Sequence, residues 1–415
     1  MQYVTVIPRT EEERKVSIKS LEDFQTSYHV NKNMEGRILP DLSPSFRLLY
    51  LFGTFSMDRE LSKKYSQCCR FFIQVIENII NAFWIYVFVA SALSTISIAR
   101  QMQTSFTLCL MNVITVIIRF IFYWKKHKIR STVRAIEQFY DSVTDEEYKP
   151  LKNILTVMSF ACIISACTMG MICAEHLRVA GTFDQFANDF VFGFNFTNYK
   201  ANMYFHIFSK TIFTTTIFYH HFLPVSMCIF ICSVYVAFKR AITAFSRRIN
   251  SDILRRIIDI DFFASSYKTM LEVLQRVEDL LSACTFFMYG CLLANQLCVI
   301  TQIIAGAGQP AQPTSVLMEV SLSIKNVVIF YSITLIGASI SQEMDNVRTQ
   351  IKQLPVESSR DFEKLSLMIQ GVCSSPATLT AWKMFCLKRS LILTTGSVMI
   401  TYSMLLLQFS QQNRG

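Results

Sequence analysis

Residues 391–409 read LILTTGSVMITYSMLLLQF. These 19 positions hold no charged residue. As a helix the stretch is about 28 Å long, which matches the hydrocarbon thickness of a bilayer. It is not uniformly apolar. Thr394, Ser397, Thr401 and Gln408 recur at spacings of 3, 4 and 7, so a helix carries them as one polar stripe along an apolar rod. Leu405, four residues after Thr401, fills the gap in that stripe. A polar stripe inside a membrane needs a polar neighbour or water. Gly, Ser and Thr also let helices approach closely, so the stripe reads either as a packing seam or as a pore face. One helix cannot enclose a pore, so the second reading requires several subunits around an axis.

Six more apolar runs precede this one: Phe71–Ile98, Ser105–Trp124, Ile154–Ala174, Thr211–Phe238, Ala283–Gly306 and Val316–Ile340. One such run is an ordinary core helix. Seven in one chain predict an all-α, polytopic membrane protein with seven transmembrane helices. The composition agrees. The chain has 415 residues, 52% of them hydrophobic and 17% charged, with a mean hydropathy of +0.34. Soluble domains carry about 25% charged residues. The apolar content excludes disorder, and 12 Gly exclude a collagen. The 13 Cys are no disulfide framework. Cys162, Cys167, Cys228 and Cys291, for example, lie within the runs as small apolar residues. Charge at Glu11–Lys15 argues against a cleavable signal peptide.

The net charge of +10 is distributed unevenly. Of the 40 Lys and Arg, 11 precede the first run, and 7, 8 and 7 lie between runs two and three, four and five, and six and seven. The opposite side holds only Arg100, Arg178, Lys200, Lys210 and Arg414. The positive-inside rule then places the N-terminus in the cytoplasm and the C-terminus outside. The charge faces the inner surface of a lipid bilayer and implies no nucleic acid. This orientation opposes a G-protein-coupled receptor, whose N-terminus is outside. The loop at 175–210 also lacks the Cys that such a receptor uses there. That loop carries the chain's one glycosylation sequon, Asn195-Phe196-Thr197, and Asn195 is expected to be glycosylated.

The inner segments are not plain linkers. Ile242, Phe245, Ile249, Ile253 and Ile257 recur at three and four after the fourth run. Phe263, Tyr267, Met270, Leu274, Val277 and Leu281 do so before the fifth, and Ile340, Met344, Val347, Ile351 and Leu354 after the sixth, up to Pro355. These heptad seams predict helices that continue into a packed cytoplasmic anchor bundle. The organisation expected is a cytoplasmic segment over 1–70 and helices one to four over 71–238. Helix extensions follow over 239–282, then helices five and six over 283–340. An anchor segment at 341–389 precedes the last helix with a short extracellular tail, 390–415. Pro44–Met57 reads as an interfacial or re-entrant helix, and Ala305–Ser315 as a flexible outer connection.

Polar groups inside the runs are candidates for function. Glu77 and Arg119 sit at similar depth near the inner side, where a structural ion pair or a snorkelling arginine is expected. Glu319, Ser323 and Asn326 share a helix face, while Lys325 points elsewhere. With Asn295, Gln302, Thr211 and Thr214 these residues form the candidate ligand pocket, against the alternative that they are satisfied packing contacts. Gln296, Thr215, Tyr219, His220 and His221 lie beside them, and Pro224 is expected to kink the fourth helix. Adjacent His side chains point about 100° apart, so no metal site is expected. No catalytic constellation and no cofactor motif is visible, so the chain does not read as an enzyme.

Thr401-Tyr402, five residues, then Gln408-Phe409 resembles the C-terminal signature of insect gustatory receptors. The preceding SSPATLTAWKMFCLKRSLI is similar to that family's approach to its last helix. Ser403 departs from the pattern, being small and polar where the family is hydrophobic. The resemblance implies a tastant-gated, non-selective cation channel, assembled as a homo- or heterotetramer with other gustatory receptors. The last helix would line the pore, with Gln408 and Phe409 at the outer gate and Tyr402 in the packing signature. Ligand would enter among the outer halves of the other helices. The protein would sit in the plasma membrane of chemosensory dendrites. Sweet receptors typically have Glu after Thr-Tyr, so Ser403 favours a bitter or plant secondary compound. A sugar-sensing receptor or an odorant-receptor-type channel is the alternative.

Overall fold

The computed structural model describes residues 103–144, 151–179, 203–256, 259–306, 313–355 and 378–412, most of 71–89, and isolated positions at 42–45 and 363–370. Residues 1–41 lie outside that set, as does Asn195. The described residues between 71 and 89 are helical and are called α1. The helices α2 (Gln103–Val143), α3 (Lys152–Val179), α4 (Met203–Arg255), α5 (Ile260–Gly306) and α6 (Pro313–Lys352) follow. A two-residue antiparallel pair, β1 (Thr380–Ala381) and β2 (Phe385–Cys386), precedes α7 (Ser390–Gln412). The chain is an all-α polytopic membrane protein: α3 to α7 are each long and apolar enough to cross a bilayer. The second expected span is the first half of α2.

Four helices are far longer than a bilayer requires. α2, α4, α5 and α6 have 41, 53, 47 and 40 residues, against about 20 for one crossing. The surplus lies at the charge-rich ends, where the heptad seams pack together. Ile242, Phe245 and Ile249 of α4 share one buried core with Phe263, Met270 and Val277 of α5 and with Met344, Val347 and Ile351 of α6. α2 joins them through Ile129, Val133, Ile136, Tyr140 and Val143, a fourth seam at spacings of 4, 3, 4 and 3. The sequence reading ended that helix at Trp124, because Lys125–Lys128 interrupts the apolar period just before it resumes. Phe245 ties three helices, edge-on to Phe139 at 6.0 Å and tilted against Phe263 at 6.5 Å. Ser246 and Gln350 exchange a hydrogen bond of about 3 Å between α4 and α6. Arg348 Nε donates to the Tyr267 hydroxyl at 3.1 Å.

The α4–α5 corner is built locally. Arg256 ends α4 at φ 58°, the left-handed conformation common just past a helix C-terminus. Asp259 then caps α5 by accepting from the Phe262 amide at 3.0 Å. Further along α4, the helix runs unbroken through Pro224, which cannot donate to the His220 carbonyl.

The transmembrane part is organised around α4, whose residues from Phe222 to Phe245 are largely buried. α4 packs on α2, α3 and α6, and α5 packs on α2 and α6. Leu42 and Ser45 are buried there too, with Ser45 Oγ 3.0 Å from Ser233 Oγ of α4. The remainder of the expected 44–57 helix lies outside the described residues. Arg119 is fully buried and does not snorkel. Its guanidinium donates to Asn81 Oδ1 at 2.6 Å and lies over Trp84, 5.3 Å from the ring centre, which gives the charge a polar and a π partner between α1 and α2. The Glu77 side of the expected pair lies outside the described residues.

Candidate functional site

α7 is held at its first turn and open beyond it. Its seat is the β1–β2 hairpin, which turns through Trp382 and Lys383 at φ 48° and 59°, closed by the Met384 amide on the Ala381 carbonyl at 2.9 Å. Two non-glycine residues in the left-handed region cost about 1–2 kcal/mol each. Trp382 gives part of this back by packing on Phe286 and Phe287 of α5, at ring separations of 5.2 and 5.5 Å. Phe385 lies against Tyr289, whose hydroxyl is 2.7 Å from Thr334 Oγ1 of α6. The Thr380 hydroxyl donates to Glu278, and Arg389 donates to Gln342 at 3.0 Å. Leu387 is fully buried against Gly337 of α6, where an added Cβ would meet Leu387 Cδ1 at 2.9 Å. The hairpin is thereby fastened to both α5 and α6 immediately before α7.

Beyond Ile392, α7 has two distinct sides. Thr395, Met399, Ser403 and Leu406 are half-buried and follow Leu391 and Ile392, which pack on the core. Thr394, Ser397, Thr401, Leu405 and Gln408 are exposed. At about 100° per residue these two sets lie on opposite sides of the helix. The polar stripe therefore points away from the body of its own chain. Thr394 and Thr401 donate to the carbonyls of Ser390 and Ser397, at 3.1 and 2.9 Å, so their protons are already used. Tyr402 is on the open surface, and the Phe409 side chain lies outside the described residues.

A second polar region joins the apolar halves of α4, α5 and α6. Asn295 Nδ2 donates to Asn326 Oδ1 at 3.1 Å, and Gln296 Nε2 donates to Ser323 Oγ at 3.0 Å, linking α5 to α6. Lys325 turns the other way and lies 3.2 Å from His221 Nδ1 of α4. Glu319 and Gln302 are half-buried nearer the apolar ends of α6 and α5. Thr211 and Thr214 are exposed, ten and seven residues before His221, or about 10–15 Å along α4. The Thr211 hydroxyl is back-bonded to Ile207 at 2.8 Å. The structure thus places Asn295, Ser323, Lys325 and Asn326 in three separate inter-helix pairs and leaves Thr211 and Thr214 outside them. Gln296 and His221 are the partners of Ser323 and Lys325, and neither is among the candidate pocket residues. The available signal is an amide adjacent to Asn295 and an ionisable ring two turns after Thr214, both inside apolar runs. Among the described residues no group of His, Cys, Asp and Glu could hold a metal ion.

No family model matches the chain, and no curated protein does. Among solved structures, the chain is similar to the insect olfactory receptor OR5 from Machilis hrabei in complex with eugenol. The TM-score is 0.62 at 12% sequence identity, covering 89% of this chain and 97% of that one. A further structure of that receptor gives a TM-score of 0.60 at 11% identity, covering 88% and 97%. The likeness extends over nearly the whole of both chains and is one of fold.

Proposed function

We propose that the chain is a subunit of a ligand-gated cation channel of the insect chemoreceptor kind, and of the gustatory type. The observation that carries this reading is the outward polar face of α7. A stripe of Thr, Ser and Gln directed away from its own subunit and into a membrane needs water or matching stripes from other copies. Four such faces around an axis would supply a hydrated pore. The fold shared with an olfactory receptor over nearly its full length supports that arrangement, and the Thr401-Tyr402…Gln408-Phe409 signature favours the gustatory branch. The charge asymmetry orients the anchor bundle to the cytoplasm and the C-terminal end of α7 outwards, in the plasma membrane of chemosensory neurons.

Gating then acts at the outer end of α7. A ring of Phe409 side chains closes the pore by hydrophobic constriction, and rotation of the helices presents Gln408 in its place and admits water. Ligand drives this only through its differential affinity for the two states. The hairpin that fastens α7 to α5 and α6 provides the mechanical route. The eugenol bound by the olfactory receptor is a small molecule, which supports a small-molecule tastant here, of bitter or plant secondary type. Whole-cell recording of the protein, alone and with partner gustatory receptors, tests the reading against a panel of bitter compounds and sugars. Ligand-gated cation current without added nucleotide or G protein is expected. A protein that reaches the cell surface in both settings and passes no such current would overturn it.

A further inference from the structure

The α5–α6 seam carries more hydrogen-bonding capacity than its own contacts use. Asn326 is 2% exposed and spends Oδ1 on Asn295, while its Nδ2 is buried without a partner. Gln296 spends Nε2 on Ser323, while its Oε1 is buried without a partner. Orphaned polar atoms in a dry interior are destabilising, and a pair of leucines would fill the same seam without them. Ser323 and Asn326 are three residues apart on one face of α6, so the two unfinished rungs are neighbours, about 5–6 Å apart at Cβ. One small group that both accepts and donates would complete the two rungs together.

We propose that Asn326 and Gln296 are the polar anchor of a ligand site that takes a neutral hydroxyl group. The hydroxyl oxygen accepts from Asn326 Nδ2, and its proton goes to Gln296 Oε1. Turning both amides over together exchanges the two ends and still leaves one donor and one acceptor, which a hydroxyl answers in the opposite sense. An ether or carbonyl oxygen has no proton to give and satisfies only a donor. The rungs themselves are neutral, since Asn295, Gln296, Ser323 and Asn326 carry no charge; Lys325 is turned towards His221, and Glu319 lies one turn beyond Ser323 on the same face. The proposal rests on the reading of the chain as a small-molecule receptor and narrows its ligands to hydroxylated, otherwise apolar compounds.

A trapped water offers the same donor and acceptor, and thermal unfolding of the purified full-length protein separates the two sources. The probes are 4-ethylphenol and 2-cyclohexylethanol, each against its O-methyl ether. The hydroxyl compounds are expected to raise the unfolding temperature with half-saturation at least tenfold lower than their ethers. In Asn326→Leu and in Gln296→Met that preference is expected to vanish. Equal effects of hydroxyl and ether on the wild type, or none from either, would mean bound water only and would overturn the site. A preference retained in both variants would also overturn it. The readout needs no ion flow, so a protein that binds the hydroxyl compounds yet passes no current fails as a channel and leaves this site standing.

Discussion

At the scale of single residues, the chain places polar side chains in the membrane under two different regimes. Arg119 is buried with Asn81 and Trp84 and has no route to solvent, which marks it as a structural cation between α1 and α2. The residues of the α7 stripe are open; the hydroxyls of Thr394 and Thr401 donate within their own helix, and their remaining polar capacity faces outward. Phe409 follows Gln408 at the end of that stripe, and its proposed role is steric. Phe409→Ala removes the aromatic ring from the constriction, so a raised ligand-independent leak is expected in whole-cell recording, with surface expression unchanged. Unaltered basal current and ligand response would remove Phe409 from the gate. The face carrying each residue was legible in the sequence; its partner across the gap was not. The i, i+3 and i+4 spacing put Glu319, Ser323 and Asn326 on one side of α6 and Lys325 on another. Nothing in the spacing says that the second side meets His221 of α4, because that depends on how two helices are rotated against each other.

At the scale of elements, long periodic segments were readable and short ones were not. The heptad seams of α4, α5 and α6 gave the anchor bundle directly, while the α2 seam was hidden by four polar residues at its start. The β1–β2 hairpin has no sequence signal at all. Its strands are two residues each, and its turn uses Trp and Lys where the backbone favours Asn and Gly. It forms because its side chains are seated, Trp382 on α5 and Leu387 in the notch left by Gly337. Filling that notch therefore tests the seat. Gly337→Val is expected to cost roughly 1–3 kcal/mol by overpacking and to lower the unfolding temperature of the purified protein. Gly337→Ala costs less, since the nearest atom is the end of a flexible leucine side chain. Leu387→Ala is expected to restore part of the loss when combined with Gly337→Val. If Gly337→Val melts like the wild type, the contact does not fasten the hairpin.

At the scale of the whole molecule, the proposed orientation rests on charge and the proposed assembly on the surface left over. An epitope tag at the N-terminus is expected to be hidden in intact cells and exposed by permeabilisation, and endoglycosidase is expected to shift the wild type but not Asn195→Gln. Tag labelling without permeabilisation would invert the topology and with it the assignment of the gate to the outer side. The sequence carried the architecture because each crossing is a local statement about 20 or so residues. It carried the ligand chemistry poorly, because that is a property of helices meeting. One feature of α7 bears on how such an assembly is made. Threonines that hand their protons to carbonyls one turn earlier present less unmet demand than free hydroxyls would. Gln408 is different in kind, since an exposed primary amide carries more donors and acceptors than its own helix can absorb. In the proposed assembly, the unmet demand of a lone subunit would thus be concentrated at the tip of its last helix and met there by other copies. For the proposed assembly this predicts two steps, insertion first and then a search for companions that starts at the outer rim.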